Sequence, residues 1–141
     1  MRYFLMIIYI LTLSLLFSAC ASQESIEINC DEFYENPHLT DSTEVQIGDE
    51  FVVCLCSNPS TGFQWMEVTD ISDTEVLEQI NHEYINPSEK SAPPPPGTPG
   101  SQAWTFKTLK EGTSTLAFEY SRDWEGGEKA TWTFVLTVVV K

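Results

Sequence analysis

Basic residues are scarce in this chain: 7 Lys and Arg stand against 21 Asp and Glu, a formal net charge of −14 at pH 7. Nucleic-acid binding needs clustered Lys and Arg to neutralise phosphates, so nucleic acid is excluded as a partner. Histidine is also rare, and His38 and His82 are the two side chains that could act as a base near neutral pH. Neither has a nucleophile at a recognisable motif spacing. We therefore expect neither enzymatic activity nor a cofactor.

The first nineteen residues have the pattern of an export signal. Arg2 supplies a positive charge, and residues 3–17 are almost uninterrupted apolar sequence before Ser18-Ala19-Cys20, as in an n-region, an h-region and a small-residue cleavage site. The site is similar to a bacterial-type lipobox, in which the Cys is acylated and becomes the first mature residue. An uncleaved transmembrane anchor is the alternative, since the apolar run approaches a bilayer span in length. The sequence predicts a signal peptide over residues 1–19 and a lipid on Cys20.

The predicted export signal implies that the rest of the chain is a tether followed by a folded domain outside the cytoplasm. A tether over residues 20–25 would join the membrane to one domain over residues 26–141, since a chain of this length has room for a single domain. We expect this domain to be a monomer. Loss of the signal peptide removes Arg2 and no acid, which leaves 6 basic against 21 acidic residues and a formal charge of −15. We expect the domain at the cell envelope or outer surface, held there by the lipid.

Three cysteines remain in the predicted domain: Cys30, Cys54 and Cys56. Cys54 and Cys56 lie two positions apart on a predicted strand, so both point to one face and compete for Cys30. An oxidising compartment favours a disulfide from Cys30 to one of them. Three buried thiols, or a metal site completed by a histidine, are the alternatives. A single C-x-C pair is a weak zinc motif, and no metal is expected.

No helical periodicity is evident, and short alternating or β-branched runs are separated by turn residues. Trp132, Phe134, Leu136 and Val138, for example, occupy one face of the last predicted strand. Regular strands at this spacing favour an all-β fold, a β-sandwich. The predicted strands cover residues 26–30, 43–47, 51–56, 63–68, 76–85, 103–109, 113–120 and 131–140.

Residues 93–100, the proline-rich loop, cannot form a central strand because proline offers no donor to the ladder. A linker between two domains is the alternative. The flanking pieces are too small to build separate cores, so a long loop within one sandwich fits better.

Two further loops have features of a binding surface. Residues 58–62, the first loop, have the sequence Asn58-Pro59-Ser60-Thr61-Gly62, in which Pro and Gly favour a short, stiff turn between strands. Residues 121–127, the tryptophan loop, form a predicted hairpin tip that carries Arg122, Asp123 and Trp124. Trp and Arg are the residue types that most often anchor protein interfaces.

Asn58-Pro59-Ser60-Thr61-Gly62-Phe63-Gln64-Trp65 resembles the N-P-T-T-G-Y-x-W signature of the chagasin family, inhibitors of papain-like cysteine peptidases. Tyr120-Ser121-Arg122-Asp123-Trp124 resembles the second signature of that family, Y-x-R-P-W. The proline-rich loop lies between the two motifs, as a third loop does in the family. The resemblance covers roughly residues 42–141.

The resemblance implies an immunoglobulin-like β-sandwich whose three loops at one end form a wedge. The first loop would enter the active-site cleft, with Ser60 and Thr61 nearest the peptidase nucleophile. Arg122 and Trp124 would press on one rim of the cleft. The other rim would meet Pro96-Gly97-Thr98-Pro99-Gly100.

The chain departs from the family pattern at two positions. Asp123 replaces a proline, which makes the tryptophan loop less rigid and adds a negative charge, and Ser60 replaces a threonine. The alternative function is a surface-tethered sandwich that binds another protein or a glycan, because fold does not fix function. Exposure of Trp104 and Trp124 on one flat face would favour a glycan, whereas a cluster of loops at one end favours the wedge.

Overall fold

The structure is a computed structural model that describes residues 24–87 and 94–141. The predicted signal peptide, Cys20 and Pro93 lie outside these residues. Within the described part of the chain, no helix is long and apolar enough to cross a membrane. The elements found there are β1 (Glu24–Ile28), α1 (Cys30–Glu35), β2 (His38–Val45), β3 (Glu50–Ser57), β4 (Gln64–Trp65), β5 (Asp70–Ile71), β6 (Leu77–Ile85), β7 (Gly100–Thr108), β8 (Gly112–Ser121) and β9 (Trp132–Val140).

The strands form two sheets. One sheet has the order β1-β3-β7-β6, and the other has the order β2-β9-β8-β4, with β5 also paired to β8. The pairs β1–β3 and β2–β9 are parallel, and the remaining pairs are antiparallel. This arrangement confirms the predicted all-β, immunoglobulin-like β-sandwich.

The core lies between the inner faces of the two sheets. In β9 every second residue from Trp132 to Val140 is buried, as the alternation predicts. Phe118 of β8 meets Trp104 of β7 across the core, with their ring centroids 5.0 Å apart. Full burial of one large apolar side chain stabilises the fold by about 1.5–3 kcal/mol, so this layer of aromatic rings fixes how the sheets face each other.

The prediction that the chain contains no helix is wrong at α1, and the strand predicted over residues 26–30 ends before Cys30. Asn29 caps the helix: its side-chain oxygen accepts from the Glu32 amide at 3.1 Å, and the Glu32 carboxylate accepts from the Asn29 amide at 2.8 Å. Six residues are too few for a stable isolated helix. Phe33 supplies the missing stabilisation, since its ring is buried and stacks on Trp132 at 5.0 Å.

Cys30, the first residue of α1, forms the disulfide with Cys56 of β3. The predicted bridge is therefore present, and Cys56 is the partner. Cys54 keeps a free, half-buried thiol. Burial raises the pKa of the Cys54 thiol, the nearby Glu27 carboxylate raises it further, and a hydrogen bond with Ser101 lowers it. The raised pKa favours the protonated thiol, which is a weaker nucleophile than the thiolate.

Several strand boundaries differ from those predicted. Strand β1 begins at Glu24, inside the predicted tether. Strand β2 begins at His38, five residues before the predicted start, and most of its residues are exposed. An edge strand with few buried positions has little alternation to read, so its length depends on pairing with β9. The strand predicted over residues 63–68 is reduced to β4, and β5 follows as a separate short strand.

Candidate functional site

The strand register brings the three predicted loops to one end of the sandwich. Ser57, at the end of β3, lies opposite Gly100 at the start of β7. Gln64, at the start of β4, lies opposite Ser121 at the end of β8. The first loop, the proline-rich loop and the tryptophan loop all leave the sheets at these positions, so they form one cluster.

Hydrogen bonds within the first loop hold it in a single compact turn. Its residues Pro59–Thr61 form a 3₁₀ turn, and Gly62 ends the turn in the left-handed region at φ 80°. The Thr61 hydroxyl donates to the Asn58 carbonyl at 2.7 Å. The Ser60 hydroxyl donates to the side-chain oxygen of Asn58 at 2.6 Å. Both hydroxyls therefore stiffen the loop before any partner binds.

Asn58 joins the first loop to its neighbours. Its side-chain amide donates to the Gly97 carbonyl of the proline-rich loop at 2.9 Å. Its backbone amide donates to the Tyr120 hydroxyl of β8 at 2.8 Å. One residue therefore fixes the position of the first loop against a second loop and against the sheet.

Arg122 joins the first loop to the tryptophan loop. Its guanidinium lies 4.3 Å from the Phe63 ring centroid and 5.5 Å from that of Trp124, within the range of cation–π attraction. Its Nη2 also donates to the Thr61 carbonyl at 3.3 Å. The Trp124 ring lies against Gly62, where an added Cβ would be 2.8 Å from the ring atom Cη2. Trp124 remains 54% exposed and presents its ring to the solvent beside the first loop.

The tryptophan loop is closed by backbone contacts despite Asp123 in place of proline. The Arg122 amide donates to the Glu128 carbonyl at 2.8 Å, and the Gly127 amide donates to the Trp124 carbonyl at 3.0 Å. Lys129 Nζ donates to the Arg122 carbonyl at 2.7 Å. The same Nζ lies 4.0 Å from the exposed Asp123 carboxylate, a contact that contributes little in water.

The proline-rich loop turns around Thr98. The Thr98 amide and hydroxyl both donate to the Pro95 carbonyl, at 3.1 and 2.6 Å. Gly97 has a φ of 84°. Gly100 does not belong to the loop, because it is the first residue of β7 and packs so closely on Tyr84 that a Cβ would lie 2.5 Å from the hydroxyl oxygen. Gly100 therefore has a packing role.

The residues considered for other functions lie in strands and not in these loops. Trp104 is fully buried, so it cannot form a flat glycan platform with Trp124. His82 lies in β6 with its ring 5.1 Å from that of Trp104. His38 is the first residue of β2, and its Nδ1 is 3.0 Å from the Thr133 hydroxyl. Among residues 24–87 and 94–141, no group of three or more His, Cys, Asp or Glu residues could hold a metal ion.

Three residues at this end were not predicted as part of the site. Phe63 and Tyr120 support Arg122 and Asn58, and both lie inside the motifs quoted above, which was the available signal. Tyr34 of α1 is 72% exposed and lies beside the first loop. The capping pattern of Asn29 and Glu32 could have indicated the helix that carries it.

Comparison with known proteins identifies relatives over most of the chain. The sequence profile described as "Chagasin family peptidase inhibitor I42" matches residues 44–138. Amoebiasin-2 of Entamoeba histolytica is 29% identical over 121 residues, which cover 79% of this chain and 92% of amoebiasin-2.

Solved structures share the fold. The cysteine protease inhibitor EhICP2 of Entamoeba histolytica has a TM-score of 0.60 at 24% identity, with 85% of this chain and 98% of that chain covered. PbICP-C, solved in complex with falcipain-2, has a TM-score of 0.58 at 14% identity, with 84% and 99% covered. The chain therefore belongs to the chagasin family of peptidase inhibitors, and the inhibition of cysteine peptidases predicted from its two loop motifs is confirmed at the level of the family.

Proposed function

We propose that this protein blocks the active-site cleft of papain-like cysteine peptidases with a wedge of three loops. The first loop would fill the cleft, with Ser60 and Thr61 nearest the catalytic thiol. The tryptophan loop would press on one rim through Arg122 and Trp124, and residues 96–99 of the proline-rich loop would press on the other. The observation that carries the proposal is the Asn58 network, which joins the first loop to the proline-rich loop and to β8.

Pre-organisation explains how such a wedge inhibits. Each loop is held by its own hydrogen bonds and by contacts with its neighbour, so little conformational entropy is lost on binding. Cleavage would need an extended backbone with its carbonyl aligned to the nucleophile. The 3₁₀ turn of the first loop does not offer that geometry. The protein would exclude substrate by occupying the cleft and would remain intact.

The site of action follows from the N-terminal sequence. The apolar run over residues 3–17 and the Ser18-Ala19-Cys20 motif support export and a lipid on Cys20. We propose that the protein is a monomer held at the cell envelope or outer surface and that its partner is the peptidase. Labelling with radioactive palmitate tests this location. We expect the wild-type protein to incorporate the label and a Cys20→Ala variant to incorporate none.

The test uses the mature chain without its lipid, residues 21–141, against papain and a cathepsin L-type peptidase. We expect tight, reversible inhibition of both and none of a serine peptidase. Trp124→Ala should weaken inhibition roughly 30-fold, because truncation of an aromatic interface anchor costs about 2 kcal/mol of binding free energy. Ile47→Ala is the matched control, since Ile47 is 50% exposed and precedes β3 at the opposite end.

Two results would contradict the proposal. A folded parent protein that leaves both cysteine peptidases active at micromolar concentration would remove the inhibitory function. If Trp124→Ala inhibits as well as the parent, the inhibitory function stands but the tryptophan loop is not part of the wedge.

A further inference from the structure

An apolar hollow of about 340 Å³ lies beside the first loop, and Asn58 and Thr61 of that loop line it. The rings of Phe63, Tyr120 and Trp132 line it, with Phe63 stacked on Tyr120 at 5.6 Å and Tyr120 on Trp132 at 4.8 Å. None of its lining residues carries a charge. In a chain with three times as many acidic as basic residues, an uncharged hollow at the loop end stands apart from the rest of the surface.

Tyr34 of α1 forms one wall of the hollow. Its ring meets the Trp132 ring edge-on at 5.4 Å, yet the residue is 72% exposed. The helix that carries it is fixed by three separate contacts: the Asn29 cap, the buried Phe33 ring and the disulfide from Cys30 to Cys56. An exposed aromatic side chain on a fixed support is the kind of residue that contributes to an interface.

We propose that Tyr34 and this hollow form a fourth contact with the inhibited peptidase. The hollow would receive an apolar side chain from the rim of the peptidase cleft. The proposal rests on the wedge function above and extends it to α1. Helix α1 precedes residues 44–138, the part of the chain that matches the family, so the family match assigns it no role.

Continuity with the first loop identifies the occupant. Asn58 and Thr61 belong to the first loop and also line the hollow. A peptidase that closes around the first loop must therefore cover the mouth of the hollow. Cys56 lies two residues before Asn58, so the disulfide ties the position of Tyr34 to that of the inserted loop.

Inhibition kinetics test the energetic part of the proposal. Tyr34→Ala should raise the inhibition constant for a cathepsin L-type peptidase about tenfold, chiefly through faster dissociation. Tyr34→Lys should raise it at least as much, because a charge would enter an apolar contact. A cation near a helix C-terminus is favourable, so this variant should keep its melting temperature. Ile47→Ala, at the opposite end, should match the parent.

Cross-linking tests direct contact and separates it from a change in the first loop. A photoreactive benzoylphenylalanine at position 34 should cross-link to the peptidase on irradiation, whereas the same residue at position 47 should not. Tyr34 variants that inhibit within twofold of the parent, or a position 34 that yields no cross-link in an inhibited complex, would overturn the inference. In either case the parent still inhibits, so the wedge function stands. A parent that does not inhibit removes both.

Discussion

Gly62 is subject to two constraints at once. Its φ of 80° lies in the left-handed region, where a residue with a Cβ costs roughly 1–2 kcal/mol. The Cβ would also lie 2.8 Å from the Trp124 ring, closer than nonbonded carbons approach. The first constraint affects stability, and the second affects the position of the residue proposed to press on the cleft rim.

Gly62→Ala should therefore lower the free energy of unfolding by about 1–2 kcal/mol and weaken peptidase inhibition at least tenfold. Gly48→Ala is the matched control, because Gly48 has a φ of 88° and no atom within 4 Å of the added Cβ. Urea unfolding and inhibition constants measured on both variants separate the two constraints. Equal inhibition constants for the two variants would show that displacement of the Trp124 ring does not affect peptidase binding.

The disulfide and α1 act together at the scale of elements. The helix has six residues, too few to be stable alone, and both the buried Phe33 ring and the disulfide hold it on the sandwich. The bond between Cys30 and Cys56 closes a loop over a sequence separation of 26 residues. Closing a loop of that size removes conformational entropy from the unfolded chain.

Replacing both cysteines, Cys30→Ser with Cys56→Ser, should lower the free energy of unfolding by about 3 kcal/mol. Urea denaturation of the oxidised protein measures the loss, and the parent in excess reductant should show a similar one. Cys54→Ser is the control for removal of a half-buried thiol, and its free energy of unfolding should remain close to that of the parent. A double variant as stable as the parent would mean that the disulfide does not lower the conformational entropy of the unfolded chain.

The sequence predicts the elements whose side chains alternate most clearly. Strands β8 and β9 bury every second residue over most of their length, and their predicted bounds agree with the structure within one residue. Strand β5 and helix α1 were missed because two and six residues are too short to establish a period. Their existence depends on tertiary pairing, with β8 in one case and with Trp132 in the other.

The loop motifs predicted loops that the structure brings to one end of the sandwich, but not the contacts that join them. The hydrogen bond from Asn58 to Gly97 joins residues 39 positions apart, and the one from Asn58 to Tyr120 joins residues 62 apart. No local pattern encodes such pairs, since they arise only when the strand register is fixed. The same reason kept Tyr34 out of the predicted site.

Charge is a property of the whole molecule. The chain carries 7 basic and 21 acidic residues, an excess of acid that creates a negative field around the domain. Such a field accelerates encounter with a positively charged partner and slows encounter with a negative one. The effect extends about 10 Å at 0.1 M salt and shrinks as salt is added.

The association rate with a papain-like peptidase of basic pI should therefore fall about tenfold between 0.02 and 0.5 M salt, with little change in the dissociation rate. An acidic peptidase of the same fold is the control and should associate faster as salt rises. Stopped-flow measurement of inhibition onset gives both rates. Association rates that do not depend on salt would mean that charges near the loops cancel the overall field.

The direction of β1 has a consequence for how the molecule would stand on a membrane. Strand β1 runs parallel to β3, which leads into the first loop, and Glu24 lies beside Phe51 at the opposite end of the sheet. The eight residues of β3 extend about 26 Å at roughly 3.3 Å per residue. A lipid on Cys20 would place the bilayer below that far end. The three loops would then point away from the cell, at the height where a peptidase diffusing in from the medium first meets the protein.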